Sequence, residues 1–392
     1  MSTARTTFSL GLAQLISWGI SYYLIGGFGE RIAADLGWTR NVVYGGFSLA
    51  LMVMGLISPI AGRLIDAYGG RLVMVAGSLL NALGCVGLAL AEDVPSYYAA
   101  WICLGVAMRL TLYDAAFAAL ARIDGPDARR AMSQITLLGG LASTTFWPLG
   151  HFLAGHFGWR GAILAYAGFA LLTVPLHLAI PNGRHEGVKR PPGDPECRPP
   201  AGSRRDITIK ATLYAVIVTL TNFLNAGMGS HMILILAGLG LGASASVWIG
   251  SLRGIGQSMA RLCEVVFGHR IHPLTLNLLA AGLLPFCFVA GLFGGQFTPA
   301  AFVFAFVYGA GNGLLTITRG TLPLVLFDYR TYGAFVGRLI VPSFMLSAAA
   351  PLIYAVVIGR FGETGALFLS AALATVILVA AAFLMMRSGR EG

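Results

Sequence analysis

Charge is scarce in this chain. Its 26 basic and 16 acidic side chains make up 11% of 392 residues, against about 25% in an ordinary globular protein. Hydrophobic residues reach 57%, and mean hydropathy is +0.77. A soluble core hiding that much apolar surface needs far more polar coat, so soluble dehydrogenases, hydrolases and nucleic-acid binders are excluded. Cysteine is sparse too. Cys85, Cys103, Cys197, Cys263 and Cys287 show no CxxC spacing, so neither a disulfide framework nor a metal site is indicated. A GxxxxGK[ST] phosphate loop is lacking, as is any cluster of His, Asp or Cys of the kind a membrane enzyme needs. No enzyme activity and no cofactor are expected. The run from Phe8 to Phe28 has no Ala-x-Ala exit and reads as a first helix rather than a cleaved leader.

What the chain does have is long apolar runs. Six lie near 8–29, 43–63, 72–91, 96–121, 132–154 and 160–180, and six more near 210–236, 243–266, 273–294, 298–324, 332–357 and 363–386. Each is about 20 residues or more, enough at 1.5 Å per residue to cross about 30 Å of hydrocarbon. They are continuous rather than alternating, which points to helices and not barrel strands. With the N-terminus inside, nineteen Lys and Arg residues fall on the cytoplasmic side and four (Arg31, Arg40, Arg160, Arg360) on the other. That positive-inside bias places both termini of a multi-pass protein in the cytoplasm, and the expected location is a bacterial inner membrane. The net charge of +10 therefore marks topology, not a nucleic-acid surface. Residues 181–209, rich in proline, glycine and charge, read as a tether between an N-terminal six-helix bundle (1–180) and a C-terminal one (210–392).

The two halves echo each other. Gly62-Arg63-Leu64-Ile65-Asp66-Ala67-Tyr68-Gly69-Gly70-Arg71 follows the second run, and Arg261-Leu262-Cys263-Glu264, then Gly268-His269-Arg270, follows the eighth. Leu36-Gly37 and Leu239-Gly240 repeat at nearly the same offset. Tandem halves of this kind occur in transporters. Gly62-Arg63-x-x-Asp66-x-x-Gly69-Gly70-Arg71, the twelve runs and the central linker resemble the major facilitator superfamily over essentially the whole chain. The resemblance implies an all-α integral membrane protein with twelve transmembrane helices in two six-helix bundles. It also implies alternating access around a site lined by spans one, four, seven and ten. In that family the charged turn holds the two bundles together on the cytoplasmic face. Arg63, Asp66, Gly69, Gly70 and Arg71, with Arg261, Glu264 and Arg270 in the second copy, become gating candidates. The same residues also read as basic loops that only fix topology. The chain is distantly similar to the monocarboxylate and oxalate/formate porter branch. There the pattern Asp-x-x-x-Arg falls on Gln257-Ser258-Met259-Ala260-Arg261, with Gln257 in the acid's place.

Charges inside spans are expensive toward lipid and normally face a cavity or a partner. Arg109, Asp114, Arg253 and Arg319 are the substrate-binding candidates, joined by the polar Tyr22 and Asn225 of spans one and seven. Gln14, Ser17, Trp18, Tyr23, Asn222 and His231 are softer ones. All of these could instead be interhelical glue. On a regular helix, residues 109 and 114 lie about 140° apart, so a direct pair between them is not expected. Three intramembrane positives against one acid favour an anion. The expectation is a secondary active transporter of a small organic anion or related metabolite, proton-coupled or exchanging. The alternative is an efflux pump for an amphipathic drug or toxic metabolite. The expected partners are that solute, protons and the lipid bilayer, with the protein acting as a monomer.

Overall fold

A backbone in hydrocarbon must satisfy its own N–H and C=O groups, so apolar runs of this length form helices. The computed structural model describes residues 4–124, 128–183, 204–267, 271–327 and 341–388, and among these there is no strand. The helices are α1 (Ala4–Ser17), α2 (Leu24–Leu36), α3 (Arg40–Tyr68), α4 (Gly70–Ala89), α5 (Val94–Thr111), α6 (Tyr113–Asp124) and α7 (Ala128–Gly140). They continue as α8 (Ala142–Leu178), α9 (Arg204–Gly238), α10 (Ala243–Phe267), α11 (Pro273–Leu292), α12 (Thr298–Leu326) and α13 (Val341–Ser388). Nine segments among the described residues are long and apolar enough to cross a membrane.

Two of those nine turn back on themselves. Gly158 in α8 (φ 68°) and Gly362 in α13 (φ 68°) break the helix, in a left-handed region that glycine enters without steric cost. Tyr166 Oη then donates to the carbonyl of Phe146 at 2.8 Å, and Tyr354 Oη meets Ser370 Oγ. In a straight helix these pairs would be about 30 and 24 Å apart. Each segment is thus two antiparallel spans. α10 is long enough to cross but carries Arg253, Gln257 and Arg261 along one stripe, and it supplies the twelfth crossing. α9 begins at Arg204, inside the stretch read as linker; residues 184–203 lie outside the described ones.

Positive φ recurs at Gly37 and Gly240 as well as at Gly158 and Gly362, so the echo between the halves extends to backbone conformation. Large apolar side chains such as Leu56, Leu83, Phe286, Phe361 and Phe368 are exposed on the outer faces, a surface that suits lipid and not water. Within it, helices associate through close packing of small residues. A Cβ on Gly309 of α12 would fall on the backbone of Arg253 in α10, and one on Gly313 would lie 2.8 Å from the carbonyl of Gln257. Gly309→Ala is therefore expected to force α10 and α12 apart and cost about 1–3 kcal/mol. Thermal unfolding of the purified protein checks this, and an unchanged Tm would refute the tight contact.

Candidate functional site

The π-helical stretch Trp18–Tyr22 interrupts the first span, with Tyr23 N–H donating to the Trp18 carbonyl at 3.0 Å. Such an extra residue in a turn is frequent at functional sites. Here it brings Trp18, Tyr22 and Tyr23 together onto one wall of a cavity of about 430 Å³. Spans from both halves line it. Its residues run from mid-helix toward the end that carries the termini: Leu112, Tyr113, Asp114 and Phe117 of α5–α6; Tyr214, Asn222 and Asn225 of α9; Gln257 and Arg261 of α10; and Asn312, Thr316 and Arg319 of α12. At the opposite end the halves close. Tyr44 of α3 stacks on the buried His231 of α9 at 4.1 Å, and Tyr44 Oη donates to Glu30, itself paired with Arg40 at 2.8 Å.

Arg109 and Asp114 form a direct ion pair, contrary to the regular-helix expectation. The reason is a break at Leu112, whose ψ of −175° is extended. The Ala115 N–H there bonds the Leu112 carbonyl at 3.0 Å in place of the Thr111 carbonyl. Thr111 is held from two neighbouring helices. Gln14 Nε2 donates to its carbonyl at 2.7 Å, and Asn81 Nδ2 donates to its hydroxyl at 3.1 Å. Asp114 lines the cavity, whereas Arg109 sits behind it with a side chain 13% exposed.

The other arginines separate by position. Arg319 lines the cavity, half-buried and near enough to act on the Asp114 carboxylate through space; among the described residues no acid pairs with it. Arg253 is fully buried outside the lining. It donates to Asn225 Oδ1 at 2.5 Å and lies over the rings of Tyr23 (5.3 Å) and Tyr308 (5.2 Å). Asn225 also accepts from Asn312 Nδ2 at 3.1 Å and donates to Tyr22 Oη at 3.2 Å, joining the halves.

Among the gating candidates, Arg63 is exposed and bonds its own helix at Pro59, while Arg71 donates to the Ile180 carbonyl at 2.6 Å. Gly69 has φ +85°, and Gly70 packs on Ala119. Arg261 is buried, lines the cavity and reaches across to the Thr136 carbonyl and Tyr113 Oη of the other half. Glu264 is half-buried and not free. The Asp66 side chain and Arg270 lie outside the described residues.

Sequence reasoning passed over Asn312 and Thr316 as site residues, although their spacing to Arg319 places all three on one helical stripe. Tyr113 carries no such signal, because it follows the break.

The fold has solved counterparts. A bacterial homolog of the human lysosomal transporter Spinster, in an inward-facing and occupied conformation, superposes with a TM-score of 0.65 over 97% of this chain and 96% of that one, at 13% identity. Mouse monocarboxylate transporter 11 is 27% identical over 305 residues, 68% of this chain and 63% of the mouse protein. The multidrug resistance protein MdtL of Shigella flexneri is 32% identical over 177 residues, 44% of each chain. The chain thus spans less than two thirds of the length of these curated relatives. The model of the Major Facilitator Superfamily matches residues 10–336. The chain belongs to the major facilitator superfamily, a family of multi-pass membrane transporters rather than enzymes.

Proposed function

We propose that the protein is a secondary transporter of a small organic anion, with the halves 1–180 and 210–392 rocking about the cavity and both termini in the cytoplasm of a bacterial inner membrane. One observation carries this reading. The acid among the described lining residues, Asp114, is already neutralised by Arg109, while Arg319 and Arg261 add positive charge to the cavity. A positive potential of this kind concentrates anions. The cavity's position toward the termini and the Tyr44–His231 closure at the other end support an inward-facing state. Arg261, which crosses between the halves, is then a residue whose bonds break when the cavity opens the other way. The relative named as a monocarboxylate transporter supports the same substrate class. Asp114 is the coupling residue in the proton-linked version, and without it the protein exchanges anions. The transporting unit is the monomer.

Counterflow in proteoliposomes with a panel of labelled organic anions tests the reading. Saturable flux of at least one anion is expected. A pH gradient should drive it in the wild type and not in Asp114→Asn if protons are coupled. Flux indifferent to the gradient in both leaves exchange, and no anion flux at all overturns the proposal. The alternative, efflux of an amphipathic drug, draws on the aromatic rings in the cavity wall and on the relative named for multidrug resistance. It requires neutral or cationic amphiphiles to outcompete anions in the same assay.

A further inference from the structure

The cavity has two unlike walls. On the side of the N-terminal half, four rings run in contact: Tyr22 to Trp18 at 4.8 Å between centroids, Trp18 to Tyr113 at 4.9 Å, and Tyr113 to Phe117 at 5.6 Å. The Asp114 carboxylate on this side is taken by Arg109. On the side of the C-terminal half, Asn225, Asn312, Thr316, Arg319 and Arg261 supply amide, hydroxyl and guanidinium groups. Arg261 is 1% exposed, and its Nε and Nη2 find no partner among the described residues. Buried donors of that kind are costly unless a ligand meets them.

We infer that the substrate is an aryl or arylalkyl carboxylate, with its ring against the Trp18–Tyr113 strip and its carboxylate toward Arg319 and Arg261. The inference rests on the anion reading above and narrows it. An aromatic ring set against other rings at about 4.5–7 Å gains offset or edge-to-face attraction beyond its burial. A guanidinium meets a carboxylate with two parallel hydrogen bonds. The volume fits as well. About 430 Å³ falls within the about 300–1,000 Å³ that encloses ligands larger than a two- or three-carbon acid. A short aliphatic acid would satisfy the polar wall and leave the ring strip without a partner. A neutral arene would do the reverse.

Equilibrium binding to the purified full-length protein, by calorimetry, separates these cases with four probes: phenylacetate, cyclohexylacetate, phenylacetamide and acetate. Phenylacetate is expected to bind, cyclohexylacetate about tenfold more weakly, and phenylacetamide and acetate weaker still. Trp18→Leu should weaken phenylacetate about tenfold and leave cyclohexylacetate nearly unchanged, with Trp18→Phe restoring most of the loss. Tyr113→Leu serves as the second variant if Trp18→Leu does not fold. Acetate and cyclohexylacetate binding as tightly as phenylacetate would overturn the aryl inference and leave the anion reading standing. Phenylacetamide binding as tightly as the acid would overturn both. No binding by any probe overturns the aryl inference, and the wider anion panel then decides the parent reading separately.

Discussion

Arg319→Gln is expected to reduce anion counterflow by about 10- to 150-fold, the loss of about 1.5–3 kcal/mol carried by hydrogen bonds to a charged group. Arg319 shares a stripe of α12 with Asn312 and Thr316, and all three line the cavity. Its half-buried guanidinium forms no direct ion pair among the described residues, and the nearby Asp114 is already paired with Arg109, so Arg319 is left to meet a ligand. Glutamine keeps the length and some donor capacity while removing the charge, so the fold should tolerate the change. Its Tm should stay near wild type, and the half-saturating anion concentration should rise. An unchanged half-saturation would mean that Arg319 only faces the membrane boundary, and the anion reading would lose its main residue.

Gln14→Leu tests the break in span four. Gln14 is fully buried, and its amide bonds the Thr111 carbonyl at 2.7 Å. Leucine leaves that carbonyl without its side-chain donor at a cost of about 1–3 kcal/mol. The backbone can recover the bond by winding through Leu112 as a regular helix, which would carry Asp114 about 140° away from Arg109. Loss of the pair strands a mostly buried guanidinium. The expected result is a lower Tm together with weaker anion flux. A double-mutant cycle with Asp114→Asn distinguishes the mechanism. If Gln14 acts by positioning the pair, the two substitutions are less than additive on flux. Additive effects would reduce Gln14 to ordinary packing.

These residues show where one-dimensional reasoning stops. The arginine stripe of α12 is legible because a continuous helix repeats every 3.6 residues, so Asn312, Thr316 and Arg319 share a face by arithmetic. The ion pair of Arg109 and Asp114 is not legible. Met108-Arg109-Leu110-Thr111-Leu112-Tyr113-Asp114 holds no proline or glycine to announce a break, and the conformation is held by Gln14 and Asn81 from other helices. The π-helical turn at Trp18–Tyr22 does contain Gly19, but a single glycine in a helical run does not specify an inserted residue.

The apolar runs, the scarcity of charge and the recurring Arg-Leu-x-acid turns by themselves determined a membrane protein of twelve helices in related halves, because hydrocarbon admits only helices and closed barrels and the runs do not alternate as barrel strands do. Which buried charges face a ligand was decided only by tertiary packing. Arg253, Gln257 and Arg261 follow one another at intervals of four on α10, so helical period puts all three on one face. Gln257 and Arg261 line the cavity, while Arg253 lies outside the lining, bonded to Asn225 and set over the rings of Tyr23 and Tyr308. Helical period determines the face a side chain occupies; what covers that face at each level depends on helices far away in the chain.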